Sequence, residues 1–162
     1  MDERFPMTPG CQEKLRAELK HIKEVDRPDN VREIEAALEH GDLRENAEYH
    51  AAKERQGALD ARLRYLEYRL SRANVIDPET VDTERIAFGA TVTVVDLESD
   101  KRTTYAIVGE DESDAERGHI SITSPIARAL IGKSAGDDAT VKLPRGERDY
   151  EIVDVCYKAI AN

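Results

Sequence analysis

The chain has 162 residues, 40% of them hydrophobic and 36% charged, so it can build a core while exposing much polar surface. With 24 Lys and Arg against 34 Asp and Glu, a net charge of −10 excludes general adhesion to nucleic acid or an anionic membrane, and leaves only local contacts of that kind. Two cysteines without zinc or disulfide spacing, Cys11 and Cys156, no apolar leader and no run of ~18 apolar residues predict a soluble cytoplasmic protein with reduced thiols.

Thr8-Pro9-Gly10 predicts a helix start, because Thr can cap exposed backbone N–H groups and Pro suits the first helical position. An apolar stripe follows at Leu15, Leu19, Ile22 and Val25, and resumes at Val31, Ile34 and Leu38. Between them, Asp26-Arg27-Pro28 predicts a kink or short break, so the first arm reads as two helices in line. The stretch His40-Gly41-Asp42-Leu43-Arg44-Glu45-Asn46 is a turn. Beyond it, Tyr49, Ala52, Gln56, Leu59, Leu63, Leu66, Leu70 and Ala73 alternate at three and four, the seam of a coiled coil. The short connection through Gly41 favours an antiparallel hairpin, whose second arm from Glu45 to Ile76 would span on the order of 45 Å.

Arg55, Arg62 and Arg69 flank that seam, and Lys53, Arg64 and Arg72 make the arm locally basic. Arg62 and Arg69 are expected to pair with first-arm glutamates such as Glu18, Glu24 or Glu33. Near the tip, Arg44, Lys53 and Arg55 have fewer such obligations and are candidates to contact phosphate.

The helical period stops at Asn74-Val75-Ile76-Asp77-Pro78, giving a hairpin over 1–78, a linker at 79–84 and a second domain over 85–162. There, Thr91–Leu97 and Thr103–Val108 alternate as strands around a charged turn at Ser99-Asp100-Lys101. Further strands are predicted at His119–Ile122, Ala139–Leu143 and Tyr150–Val155, and a short helix from Ser124-Pro125 to Ile131, ended by Gly132. The fold class is therefore α+β, a helical hairpin followed by a small antiparallel sheet packed on one helix. Residues 1–78 carry −3 and residues 79–162 carry −7, so the second domain should prefer a protein partner to a phosphate backbone.

Asp42 and Glu45 are the sharpest chemical candidates. Their spacing fits a capping box at a helix start. It also fits two oxygen ligands for a hard cation such as Mg²⁺, which keeps several waters and takes one or two carboxylates. Two ligands are too few for a self-sufficient site, so in that reading the tip is half of a composite one. His21, His40, His50 and His119 are scattered, and the sequence has no phosphate-binding glycine loop, nucleophile elbow or HExxH. By itself it does not contain a complete enzyme.

Several segments closely resemble the bacterial Gre transcript-cleavage factors of the GreA type. They are Met7-Thr8 with Gly10 and Lys14-Leu15, Glu39 through Glu54 with Gln56-Gly57, Phe88-Gly89-Ala90-Thr91-Val92, and Ser124 through Lys133. The resemblance implies a coiled coil that enters the secondary channel of RNA polymerase and an FKBP-like domain, with Thr123, Ser124 and Pro125 in the loop that docks at the channel rim. It also implies that Asp42 and Glu45 help the polymerase active site hold its second Mg²⁺ and a water when the nascent RNA 3′ end has been extruded by backtracking. The polymerase then hydrolyses the RNA, so the factor is an activator rather than an enzyme, with no cofactor of its own. A monomer that binds no membrane is expected. Lys53 matches a family RNA-contact position, whereas Leu38 stands where relatives can carry Arg, and Thr123 where they carry Asp or Asn. A second reading makes the protein a channel-occupying inhibitor of polymerase without cleavage, but the Gly-Asp-Leu-x-Glu-Asn tip favours cleavage. A third, prolyl isomerisation from the FKBP-like fold alone, finds only Phe88, Tyr105, Tyr150 and Tyr157 as aromatics for a pocket.

Overall fold

In the computed structural model, which describes residues 3–41 and 46–161, Thr8 accepts a hydrogen bond from the N–H of Cys11 at 3.2 Å, and α1 (Pro9–His21) starts as the sequence predicts. The helix then widens into a π turn, Ile22–Asp26, and narrows again into α2 (Arg27–Leu38), with every residue at the junctions in right-handed helical geometry. There is no break. Proline lacks the N–H that a regular turn would use, and the wide turn, in which the Arg27 N–H reaches back to Ile22 O, absorbs the defect.

The π turn changes which side chains are covered. It adds a residue to the winding, so the face of α2 that is buried carries Asn30 and Ala37, with Ile34 half-buried. The predicted stripe members Val25, Val31 and Leu38 are instead 41%, 49% and 46% exposed. In α3 (Ala47–Ser71) the predicted seam holds better: Ala52 and Leu66 are buried, and Tyr49, Gln56, Leu59, Leu63 and Leu70 are half-buried. Ala73 leaves the seam, because residues Ala73–Val75 form strand β2, which shortens the second arm to the 25 residues of α3.

That strand has a partner not foreseen from sequence. It pairs in parallel with β1 (Phe5–Met7), with Met7 opposite Val75. The chain therefore divides at 12/13 and 72/73: residues 13–72 form the helical unit, and residues 3–12 join residues 73–161 in the other. This differs from a boundary at residue 78. Within the second unit Glu112 clasps the amino-terminal strand, its Oε2 accepting from the N–H groups of Thr8 (3.0 Å) and Gly109 (3.2 Å) while Oε1 takes the Thr8 hydroxyl. A Cβ on Gly109 would lie 2.3 Å from the Pro6 carbonyl oxygen, so only glycine allows the approach.

The remaining strands are β3 (Ala90–Asp96), β4 (Arg102–Val108), β5 (His119–Ser121), β6 (Asp138–Leu143) and β7 (Gly146–Tyr157), in the order β5-β4-β3-β7-β6. All pairs are antiparallel except β4 with β5, which is parallel, a crossover that period-2 patterning cannot reveal. One face carries Val92, Val94, Ile107 and Ile152, which form the core with Ala127 and Leu130 of α4 (Pro125–Leu130). The architecture is α+β, as expected.

Asp96 fastens the β3–β4 turn. Its Oδ1 accepts from the N–H groups of Glu98 (2.9 Å) and Ser99 (3.3 Å), and its Oδ2 from Arg148 at 2.9 Å. The Glu98 N–H above all, helped by Ser99 and Arg148 and opposed by burial, holds this carboxyl below its usual range. A depressed pKa adds stability above the unfolded-state value that is lost as pH falls through the folded one. In urea titrations, Asp96→Asn should therefore be less stable than the parent at neutral pH, and the gap should close as pH drops below about 4.

Candidate functional site

The hairpin presents its tip between α2 and α3. α2 ends with Gly41 at φ +88°, a left-handed conformation suited to glycine, and the N–H groups of His40 and Gly41 return to Ala37 O and Leu38 O. α3 begins at Ala47 with Asn46 as its cap, the side-chain Oδ1 accepting from the Tyr49 N–H at 3.0 Å. The same side chain donates through Nδ2 to Ala37 O at 2.6 Å, so one residue caps α3 and ties it to α2. His40 Nε2 lies 3.1 Å from Glu48 Oε2, a second tie across the tip.

Asp42, Arg44 and Glu45 lie outside the described residues. The start of α3 is described. A capping box would need Asp42 as the N-cap, and the N-cap is Asn46. The signal for it was in the sequence, since Asn is among the preferred N-cap residues and Glu48 supplies an acid in the first turn.

Below the tip the two arms are stitched in antiparallel register. Asn30, buried, donates to Ala52 O at 2.9 Å. Arg55 pairs with Glu33 and, at 3.7 Å, with Asp26; Arg27 lies 3.8 Å from Asp60 and Lys23 lies 3.3 Å from Glu67. Arg62 grips Glu18 in a two-pronged pair at 2.6 and 3.0 Å, the pairing expected for it. Arg69 is buried, with its guanidinium 5.8 Å from the Tyr65 ring centre, which Arg62 also faces at 5.2 Å.

The expectation that Arg55 has few partners is thus corrected: the long guanidinium reaches two acids of the other arm. Among the described residues, exposed Lys53 donates within its own helix, to Gln56 Oε1 at 2.7 Å. Leu38 is exposed on α2.

At the other candidate surface, Ser124 caps α4 by accepting from the Ala127 N–H at 3.3 Å, and Pro125 opens its first turn. Exposed Thr123 sits against Ser121, with the hydroxyls 2.8 Å apart, and its hydroxyl is 3.5 Å from Glu110. Among the described residues no three His, Cys, Asp or Glu side chains gather as a metal site, and no helix is long and apolar enough to cross a membrane.

Two variants separate the tip's structural parts. Asn46→Ala should destabilise the protein by about 1 kcal/mol or somewhat more in chemical denaturation, because it removes both a cap and a tie between arms. Arg55→Ala should cost about 1 kcal/mol while Lys53→Ala leaves stability within about 0.5 kcal/mol.

Comparison with known proteins covers almost the whole chain. Residues 5–75 match the family described as transcription elongation factor, N-terminal, and residues 81–157 match transcription elongation factor, GreA/GreB, C-term. The transcription elongation factor GreA of Alkalilimnicola ehrlichii is 54% identical over 95% of this chain and 98% of its own. That of Hyphomonas neptunium is 52% identical over 96% and 99%. A crystal structure of the GreA factor homolog 1 (Gfh1) protein of Thermus thermophilus is 24% identical, with a TM-score of 0.44 over 94% of this chain and 99% of that one.

Proposed function

The chain belongs to the GreA/GreB family of transcription elongation factors, and on that premise we propose that its tip completes a catalytic centre inside RNA polymerase. It is an elongation factor that binds RNA polymerase and stimulates transcript cleavage. In the proposed mechanism the hairpin enters the secondary channel, where Asp42 and Glu45 offer carboxylate oxygens to the second Mg²⁺ of the polymerase and orient a water. Hard oxygen donors suit that ion, and two of them suffice only if the polymerase supplies the rest. Two-metal chemistry can stabilise both the attacking and the leaving oxygens as the phosphodiester of the backtracked RNA is hydrolysed. The chemistry is the polymerase's own.

The observation that carries this reading is the Asn46 cap. Asn46, not Asp42, caps α3 and ties it to α2, and in the sequence Asp42 and Glu45 fall between those two helices. Arg44 and exposed Lys53 are read as contacts for the extruded RNA 3′ end. Arg55, the third candidate RNA contact, also pairs with Glu33 and Asp26 of the other arm. The Thr123-Ser124-Pro125 loop is read as the contact of an FKBP-like domain with the channel rim, its backbone set by the Ser124 cap. The factor is read as a cytoplasmic monomer.

Replacing Asp42 and Glu45 together by Ala should reduce RNA shortening in a stalled elongation complex by at least about a hundredfold, as loss of groups acting in the transition state does, while binding to polymerase is kept. Undiminished shortening in the double variant would overturn the role of the tip. Slower synthesis with no shortening by the parent protein would instead support a channel-occupying inhibitor.

A further inference from the structure

On the face of the sheet opposite the core, Thr91 of β3, Ala106 of β4 and His119 of β5 lie in register across three strands, and Thr104 precedes Ala106 by two on the same face. Three small side chains in adjacent positions leave a trough where larger ones would fill it. Residues 158–161, which follow β7, form its other wall, and the resulting cleft has a volume of about 290 Å³. Its lining is Thr91, Thr104 and Ala106 on the floor, Arg117 and His119 on one side, and Lys158 to Ala161 on the other.

The charge of this lining is the reverse of its surroundings. Residues 79–162 hold 17 acids against 10 bases, yet the cleft is lined by Arg117, Lys158 and His119, and by no Asp or Glu. Arg117 touches Asp114 through Nε at 3.6 Å, an ion pair that uses one corner of a guanidinium with five donors. An arginine fork with a lysine point charge is suited to phosphate oxygens. Ala106, Ala159 and Ile160 supply apolar wall beside them. The volume matches the lower end of small-molecule sites, which are largely apolar with a few convergent polar groups.

We propose that this cleft binds a small organic phosphate, the anion held by Arg117 and Lys158 and the organic part against Ala106 and Ile160. The site lies in the sheet unit and uses none of the residues assigned to transcript cleavage, so the two readings stand or fall separately.

The test is a titration of the full chain, without polymerase, followed by amide chemical shifts, with AMP, adenosine and inorganic phosphate as probes. Saturable shifts with AMP are expected at Thr91, Ala106, His119 and Lys158, with weaker binding of inorganic phosphate and none of adenosine. Arg117→Gln combined with Lys158→Gln, both exposed positions, should weaken AMP binding about tenfold or more with an unchanged circular dichroism spectrum. Lys142→Gln with Arg145→Gln, at exposed positions of β6 and the β6–β7 turn, should leave it unchanged. Absence of saturation up to roughly 10 mM AMP, shifts centred elsewhere, or equal loss in both double variants would overturn the site. Binding of inorganic phosphate as tight as that of AMP would overturn the organic part of the ligand.

Discussion

Everything about how the two arms meet follows from the five-residue π turn at Ile22–Asp26. A regular helix would ask residue 28 for an N–H that proline does not have, and would drive the pyrrolidine ring into the preceding carbonyl. Widening the winding by one residue removes that conflict and rotates all of α2 relative to α1. After the rotation Asn30 points inward and bonds Ala52 O, and Ala37 comes within reach of Asn46. The same rotation leaves Val25, Val31 and Leu38 outside. A buried asparagine is costly unless it is satisfied, so its bond to Ala52 O favours this register over slipped ones.

In the proposed mechanism the hairpin separates holding the tip from the chemistry. Holding the tip falls to Asn46, His40 and Glu48, which tie α2 to α3, and further down to Arg55 and Arg62 with their glutamates. In the proposed mechanism the chemistry falls to Asp42 and Glu45. A group asked both to cap a helix and to ligate a cation would have to give up one set of bonds to make the other. Giving the cap to a neutral amide avoids the competition, since an amide is a far poorer ligand for Mg²⁺ than a carboxylate.

The second unit shows a comparable economy. Its amino-terminal strand is held by a single carboxylate, Glu112, that serves the N–H and hydroxyl of Thr8 and the N–H of Gly109. Thr8 in turn caps α1, so strand pairing and the start of that helix share one residue. Tyr157 acts in the same manner at the end of β7, accepting from the Ala87 N–H and donating to Arg85 O. Burial raises its phenol pKa, which keeps it a donor across the ordinary pH range.

The seam of α3, the Thr8 start, the hairpin turn after β3 and the Ser124-Pro125 helix were all legible in the sequence. Each rests on local chemistry: periodicity, a capping hydroxyl, a proline in the first turn. The likeness of the tip to the Gre motif is a matter of residue order alone. What the sequence left open was which of two roles those acids have; the cap that α3 uses is Asn46, four residues after Asp42. Tertiary structure alone decided the inward face of α2, the partners of Arg55, the parallel pairing of Phe5–Met7 with Ala73–Val75 and the cationic cleft of Arg117 and Lys158. These depend on contacts between residues far apart in the chain, and a periodic pattern records only which side chains share a face, never what that face will meet.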